Sequence, residues 1–457
     1  MKILNAQQIR EVDKLTIDGE PIKSIDLMER AAKRCFEWIK RHGRDIRRVH
    51  VFCGMGNNGG DGLAIARMLG GTGKKVAVHI ARHASEGSPD FLVNEKRLKG
   101  VKNLSGHWLE AGEELPVISR DDLVIDALFG SGLNRPLSGF PADIVQHINQ
   151  SGALVVAIDI PSGMFCEDNT NNDPNCIVRA DYTLTFQLPK LSFLFPDNEV
   201  FTGHWQVLDI GLSPEGIEAS ETPYYFLEAK ELQGFYKQRK RFSHKGHFGH
   251  GLLIAGSRGK IGAALIAAKA ALRSGAGLLS VCLPGTACET LHVHLPEAMC
   301  LPDENPGFIT KIPDLREYNA IGVGPGLGTG DQTSRALKLL IQETRLPLIL
   351  DADALNILSD NPTWRGFLAP GSILTPHPGE FERLAGPSGN GYERLMKAKE
   401  FAHRFQLILV LKGAYTAIIT PEGKVFFNPT GNPGMATGGS GDALTGMILG
   451  WLAQGYS

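Results

Sequence analysis

Residues 49–69 read VHVFCGMGNNGGDGLAIARML. An uncharged apolar run enters a glycine-rich turn, Gly54 to Gly62, and leaves it as LAIARML with helical spacing. Hydrophobicity that is continuous rather than alternating marks a strand buried on both faces, so a parallel sheet with helices on both sides is expected. Gly54, Gly56 and Gly59 satisfy G-x-G-x-x-G in the strand-turn-helix setting that a dinucleotide fold requires. The pattern alone is weak. It also asks for an acid at the end of the next strand, where KKVAVHIARH (74–83) offers only Arg82 and His83. An arginine accepts a 2′-phosphate, which keeps a dehydrogenase as a minority reading. The glycines leave Asn57, Asn58 and Asp61 unexplained, because most cofactor fingerprints keep bare glycine there. Turn and capping chemistry is the bland account of any one of them.

Outward from this stretch the same style repeats, in KVAVHIA (75–81), LVIDALFGSG (123–132), ALVVAIDIPSG (153–163) and DYTLTFQL (181–188). Ahead of it, Ile9, Val12, Leu15, Leu27, Ala31 and Ile39 recur at helical intervals. SPEGIEASETP (213–223) is polar and acidic with Pro and Gly, as a linker is. A second series of glycine-punctuated strands follows, from GLLIAGS (251–257) to TAIITPEG (416–423). The expected organisation is a Rossmann-like doubly wound α/β domain over 1–212, a linker over 213–225 and a second α/β domain over 226–457.

Composition agrees with an enzyme of this class. Lys plus Arg is 47 and Asp plus Glu is 49, a net charge of −2, without the basic excess that nucleic-acid or anionic-membrane binding needs. Glycine supplies 54 of 457 residues, well above the typical ~7%. The seven cysteines are odd in number and form no C-x-x-C pair, which argues against a disulfide framework and for a reducing cytoplasm. No uncharged apolar stretch is long enough to span a membrane, and the N-terminus carries charges where a signal peptide needs an apolar core.

Two further strands of the first domain end in acids, Asp126 and Asp159. Ligands of doubly wound sheets bind at the carboxyl ends of strands, so these loops are expected to share a crevice with Asn57, Asn58 and Asp61. LMERAA (27–32), GMGNNGGDGLAIARML (54–69), DALFGSGLNRPLSG (126–139) and AIDIPSG (157–163) closely resemble the epimerase domain of the bifunctional NAD(P)H-hydrate repair enzymes. The resemblance implies interconversion of the R and S epimers of hydrated NADH or NADPH. It places Asn57, Asn58, Gly59, Gly60, Asp61, Gly130, Ser131, Gly132, Leu133, Asn134, Arg135, Pro136 and Asp159 at the substrate. It gives a potassium ion to Asn58, Asp126 and Ser162. Physically, loss and return of water passes through a cationic ring, which a carboxylate such as Asp159 stabilises. Oxygen ligands suit an alkali cation without choosing potassium over sodium.

In the second domain, Gly434 to Asp442 reads GMATGGSGD before ALTGMILGWLA. Peptide N–H groups of small residues at a helix start make an anion hole, with Asp442 as a base beside it; ordinary capping is the alternative. Lys412 to Thr416 follow another strand, and His377 lies between two prolines. Asp351 and Asp353 end a strand as helix caps or as magnesium contacts. His244, His247 and His250 flank glycines and make a poor metal set. Gly251 and Gly256 have the spacing of a P-loop, but Ser257 stands where it needs lysine, which rejects a Walker-type NTPase.

HKGHFGHGLLIAGS (244–257), GPGLG (324–328), DADALN (351–356), LTPHPGEFERL (374–384), LKGAYT (411–416) and NPTGNPGMATGGSGDALTGMILG (428–450) look like the NAD(P)H-hydrate dehydratase domain, of ribokinase-like fold. By that resemblance Ala263, Gly326, His377 and Asp442 touch the hydrated nucleotide. Lys412, Gly413, Ala414, Tyr415, Thr416 and Gly441 hold ADP or ATP, and Gly438, Gly439, Ser440 and Gly441 cradle the transferring phosphoryl group. Mg2+ is expected with the nucleotide, and a homo-oligomer is expected. Family members continue past the point where this chain stops, so a shortened second domain is also expected. The implied chemistry is phosphorylation of the ring hydroxyl with Asp442 as base, then elimination of phosphate. The rivals are a small-molecule kinase using the same loop, and a non-enzymatic binding scaffold.

Overall fold

The computed structural model describes residues 1–457 except 44, 45 and 47. The chain forms two compact units, residues 1–226 with 390–392, and residues 227–389 with 393–457.

The first unit opens with α1 (Ala6–Gly19) and α2 (Ser24–His42). Asn5 and Gln8 start α1 as a capping box, each side chain accepting the other's backbone N–H. There follow β1 (Arg48–Cys53), α3 (Asn57–Gly70), β2 (Lys75–Ala81), α4 (Pro89–Arg97), β3 (Leu104–Leu109), β4 (Leu123–Ala127), α5 (Phe140–Gln150), β5 (Leu154–Ile158), β6 (Tyr182–Phe186), α6 (Glu199–Thr202), β7 (His204–Leu208), α7 (Pro214–Ala219) and β8 (Tyr224–Phe226). Seven strands align in the order β3-β2-β1-β4-β5-β6-β7, every neighbouring pair parallel. Val49, Val51 and Cys53 pack with Leu63 and Ile65 of α3, while Phe52 and Val124 pack with Ile144 and Val145 of α5. Burial of both faces accounts for the continuous apolar runs. The strand order reverses between β1 and β4, and the crevice at their carboxyl ends is where a doubly wound sheet receives a ligand.

Two strands of the seven-stranded sheet lie outside the runs read from sequence, β3 (LSGHWL) and β7 (HWQVL). β3 and β7 are edge strands with partly exposed residues, so neither carries a buried-strand signature. Residues 213–225, expected as a linker, hold α7 and most of β8 within the first unit. Ile217 joins the small core that includes Leu4 and Val12, and Ile3 N–H donates to the Tyr224 carbonyl (3.0 Å). Their polar composition belongs to an exposed edge, not to a free connector.

The second unit contains α8 (Ala229–Leu232), β9 (His250–Ile254), α9 (Ile261–Arg273), β10 (Leu278–Leu283), α10 (Cys288–His294), β11 (Met299–Pro302), β12 (Ala320–Val323), α11 (Asp331–Glu343), β13 (Leu348–Leu350), α12 (Asp353–Asp360), β14 (Ile373–Leu374), α13 (Pro378–Ala385), α14 (Gly391–Phe405), β15 (Ile408–Leu411), β16 (Thr416–Ile419), β17 (Val425–Asn428) and α15 (Ser440–Ala453). Its strands run β11-β10-β9-β12-β13-β14-β15-β16-β17, parallel as far as β15 and antiparallel beyond. α15 packs on α9 with almost no gap. A Cβ on Gly446 or Gly450 would collide with the Ala267 or Ala271 carbonyl, so these two positions admit only glycine.

The cysteines are not all free. Cys288 at the start of α10 and Cys300 in β11 have Cα atoms 5.7 Å apart and are bridged, while Cys35, Cys53, Cys166, Cys176 and Cys282 are buried thiols. An odd total is compatible with one bridge, which the spacing argument could not foresee because helix packing sets the approach. No described helix is long and apolar enough to cross a membrane.

Candidate active sites

In the first unit the turn after β1 is closed by its own backbone. Gly54 N–H donates to the Ala127 carbonyl (3.1 Å), and a Cβ on Gly54 would collide with the Leu128 carbonyl. A Cβ on Gly59 would collide with the Gly54 carbonyl, whereas one on Gly56 meets nothing within 4 Å. Two of the three fingerprint glycines therefore serve packing of the turn itself. The helix also starts earlier than LAIARML. Gly56 is extended, and Asn57, Asn58, Gly59, Gly60 and Asp61 are already the first residues of α3.

Two more loops, after β4 and after β5, gather beside this helix start. A Cβ on Gly130 would lie 3.1 Å from the Asn58 Cβ, which brings the loop after β4 against α3. Ser162 reaches the same loop, its Oγ donating to Asp126 Oδ1 (2.5 Å) while Phe129 N–H donates to Ser162 Oγ (2.9 Å). Ser162 N–H donates to Asp126 Oδ2 (2.7 Å), and Ser131 N–H donates to Asp159 Oδ2 (3.3 Å). Asp126 is fully buried, and burial pushes its carboxyl up to about 6 against the hydrogen bonds from Ser162 and Leu128. Both side-chain polar atoms of Asn58 are buried without a hydrogen-bond partner. Within the Gly130–Pro136 loop, Leu133 turns into the core beside α5, and Asn134, Arg135 and Pro136 are exposed.

Asp159 follows β5 with φ +66°, a left-handed conformation that Asp tolerates better than most residues. Its Oδ1 is 2.9 Å from the ammonium of Lys190, a fully buried lysine that motif reading did not single out. Burial pushes the Asp159 carboxyl up, but the Lys190 charge and the bonds from Lys190, Ser131 and Phe186 outweigh it and hold the group below the usual range. Its acidic neighbours are driven the other way. Burial, then the Asp159 charge, raises Asp13 to about 6 and Asp61 well above its ordinary value. One carboxylate and two carboxyls inclined to hold protons thus share the crevice.

In the second unit the separate motifs converge on the start of α15. Gly439 is left-handed (φ +93°) and ends the glycine-rich loop, so Ser440, Gly441 and Asp442 form the first turn of the helix. A Cβ on Gly441 would lie 3.4 Å from Lys412 Nζ and 3.6 Å from Asp351 Oδ2. Lys412 Nζ is 3.0 Å from Asp351 Oδ1 and 3.8 Å from Glu380 Oε2, and Thr445 of α15 donates to Asp351 Oδ2 (2.8 Å). Burial and the charge of Asp351 raise the Asp442 carboxyl, with Lys412 opposing.

The remaining predicted residues sit around this centre. Asp353 accepts from Gly328 N–H (2.8 Å) and Lys260 Nζ (3.1 Å). A Cβ on Gly326 would lie 3.1 Å from the Ala263 Cβ, which pairs those two positions. His377 caps α13, its Nδ1 accepting from Gly379 N–H (3.1 Å) and Glu380 N–H (3.3 Å), with Nε2 3.6 Å from Glu380 Oε1. Gly413, Ala414 and Tyr415 form the β15–β16 turn, closed by Thr416 Oγ1 donating to the Gly413 carbonyl (3.0 Å). His244 and His247 stack on each other, and His250 bonds Ser280 (2.9 Å). Among the described residues no group of three or more His, Cys, Asp or Glu is placed to share a metal.

Fold and sites together define a two-unit α/β enzyme with one crevice at a sheet switch point and a glycine-rich helix start, beside a lysine and two acids, in the other unit. A family model described as YjeF-related protein N-terminus matches residues 24–192, and one described as NAD(P)H-hydrate dehydratase matches 251–457. The bifunctional NAD(P)H-hydrate repair enzyme Nnr of Moorella thermoacetica is 36% identical over 100% of this chain and 88% of its own length. That of Coxiella burnetii is 35% identical over 99% and 90%. A solved ADP/ATP-dependent NAD(P)H-hydrate dehydratase from Bacillus subtilis, co-crystallised with ATP and Mg2+, is 36% identical over 50% of this chain and 81% of its own, with TM-score 0.42. The chain belongs to the bifunctional NAD(P)H-hydrate repair enzymes. Its Rossmann-like N-terminal domain is the epimerase, and its C-terminal domain the NAD(P)H-hydrate dehydratase.

Proposed function

We propose that Asp159 is the group that serves the epimerase reaction, in the crevice framed by Asn57–Asp61 and the loop that begins at Gly130. The C–O bond at the hydroxylated ring carbon breaks as the hydroxyl takes a proton and leaves as water. The ring becomes a cation, its charge shared with the ring nitrogen. Water returns to the opposite face and gives up a proton. A carboxylate held ionised beside the ring stabilises the cation and receives that proton. The observation supporting this role is the pinning of Asp159 by Lys190 and Ser131.

A potassium ion fits the oxygens of Asn58, Asp126 and Ser162, because the Asn58 amide is buried with neither polar atom satisfied. When bound it supplies a fixed positive charge at the crevice floor. Asn58 and Ser162 would then orient the loop that begins at Gly130, and Asp126 would balance the charge.

In the second unit Asp442 takes the proton of the ring hydroxyl as that oxygen attacks the terminal phosphorus of ADP or ATP, whose bridging P–O bond breaks to release AMP or ADP. Gly438, Gly439, Ser440 and Gly441 present N–H groups to the phosphoryl group, and Lys412 to Thr416 hold the nucleotide. Phosphate then leaves with its electron pair, aided by the ring nitrogen, and the adjacent carbon gives up a proton to solvent, which restores the dihydropyridine. The convergence of Lys412, Asp351 and Gly441 at the start of α15 carries this reading. Asp351 and Asp353 are each already held by a lysine and a second donor, so Mg2+ is assigned to arrive with the nucleotide phosphates.

The test is incubation with mixed hydrate epimers and ADP or ATP, followed at the dihydropyridine absorbance. Full recovery of absorbance with phosphate release supports both steps. A stable phosphorylated product would instead mark a kinase.

A further inference from the structure

We infer that Lys190 is a positioning residue of the epimerase reaction, holding Asp159 as an oriented carboxylate while remaining out of reach of the substrate. The inference rests on the reading of Asp159 given above. Lys190 has a side chain with no exposed surface, and its ammonium has one carboxylate partner, Asp159 Oδ1 at 2.9 Å. Its other acceptors are two longer contacts, the Leu188 (3.4 Å) and Phe186 (3.5 Å) carbonyls. A buried ion pair is poor stabilisation compared with apolar packing, because both charges must be desolvated. The arrangement calls for a use other than holding the fold.

The geometry supplies that use. Lys190, Thr185 and Phe186 all approach Asp159 Oδ1, whereas Oδ2 meets Ser131, from the loop expected at the substrate. One oxygen is fixed from behind and the other is turned to the crevice. The left-handed backbone of Asp159 makes this aim specific, since it redirects the side chain at the end of β5.

The charged and titratable groups facing Asp159 are Lys190, Asp13 of α1 and Asp61 of α3, with the buried thiols Cys35 of α2 and Cys166. Lys190 is thus the cation that offsets the Asp159 charge, with a smaller pull on Asp13. Without it, burial and mutual repulsion would leave Asp159 protonated nearer neutral pH, unable to stabilise a cationic ring. Being wholly buried, the ammonium does not itself meet that cation.

The test compares K190M with the parent chain in epimerisation across pH, with dehydration of the S epimer as control. Expected are an epimerase kcat/KM at pH 7 lower by ~10- to 100-fold and an acid limb moved up by about one pH unit or more. Dehydration should be unchanged. In a D159N background, K190M should cost little further, because the partner it serves is already gone. A folded K190M with the parent's pH profile, or an equal loss in both backgrounds, overturns the inference. If K190M does not fold, K190A is assayed in ethylammonium, which should restore epimerisation in K190A and not in D159A. Absence of rescue overturns it likewise. Epimerisation retained by D159A would refute the assignment of Asp159 itself, a separate failure.

Discussion

Asp442 shows how much one residue's surroundings decide. It is the third residue of α15, inside the first turn and past the N-cap Gly439, and the Lys412–Asp351 pair alongside and its raised carboxyl suit a base. Asp442→Asn keeps size and cannot accept a proton. Dehydration should fall by ~10²- to 10⁴-fold, with nucleotide affinity nearly unchanged because the Lys412–Thr416 turn and Gly441 remain. Single-turnover rates and nucleotide titration of a variant with the parent's melting curve check this; unchanged turnover would reduce Asp442 to an acid favouring the positive end of the helix. Since the base must be ionised and its affinity for protons is raised, the parent's rate should decline on acidification at a higher pH than for an ordinary carboxylate. Asp126, Asp159 and Asp442 were legible as acids at strand ends or helix starts next to glycine-rich turns. Lys190 was not, because its partner lies 31 residues earlier and QLPKLSF carries no pattern around it. Nor could spacing alone pair Lys412 with Asp351, which only the sheet brings together.

At the scale of elements, the turn between β1 and α3 makes unequal demands on its glycines. Gly54→Ala drives a methyl into the Leu128 carbonyl and should cost about 1–3 kcal/mol, as forced overpacking does. Gly56→Ala enters open space and should cost about 1 kcal/mol or less, the usual difference at a helix N-cap. Urea midpoints of the two variants check the contrast, and equal losses would refute the packing account. A second feature is the polar face of β1 and β2. His50 Nδ1 lies 3.0 Å from His79 Nε2, and both rings are buried. Burial, with neighbouring His50, His107 and His147, lowers His79 to about 3; burial lowers His50 against the pull of Asp122. A depressed histidine leaves the unfolded chain binding more protons between about 3 and the unfolded value of 6.5, so this contribution is intact above 6.5 and is lost as pH falls. The acids that burial raises, Asp13, Asp61 and Asp126, act in the opposite sense. The clean readout is therefore the melting temperature of His79→Leu against pH, which should fall less steeply on acidification than the parent's. Buried strands β1, β2, β4, β5 and β6 were legible from continuous apolar runs. Edge strands β3 and β7 were not, since half of an edge strand faces water, and neither helix start could be set to the residue where glycines blur the boundary.

For the whole molecule, the two compact units predict that their chemistries separate. Asp159→Ala should abolish R-to-S conversion and leave dehydration of the S epimer intact, measured on resolved epimers with the same preparation. Equal loss of both activities in a folded protein would count against two sites. Phe226 ends one unit and Leu227 begins the other, with no residue between them. Each polypeptide synthesised therefore delivers one interconverting centre and one draining centre, a fixed ratio that no change of expression can unbalance. Doubling the protein doubles the supply of the usable epimer and its removal together. Damage that arises as a mixture of two stereoisomers is then cleared at a pace set by a single dose, with neither form stranded for want of its own catalyst.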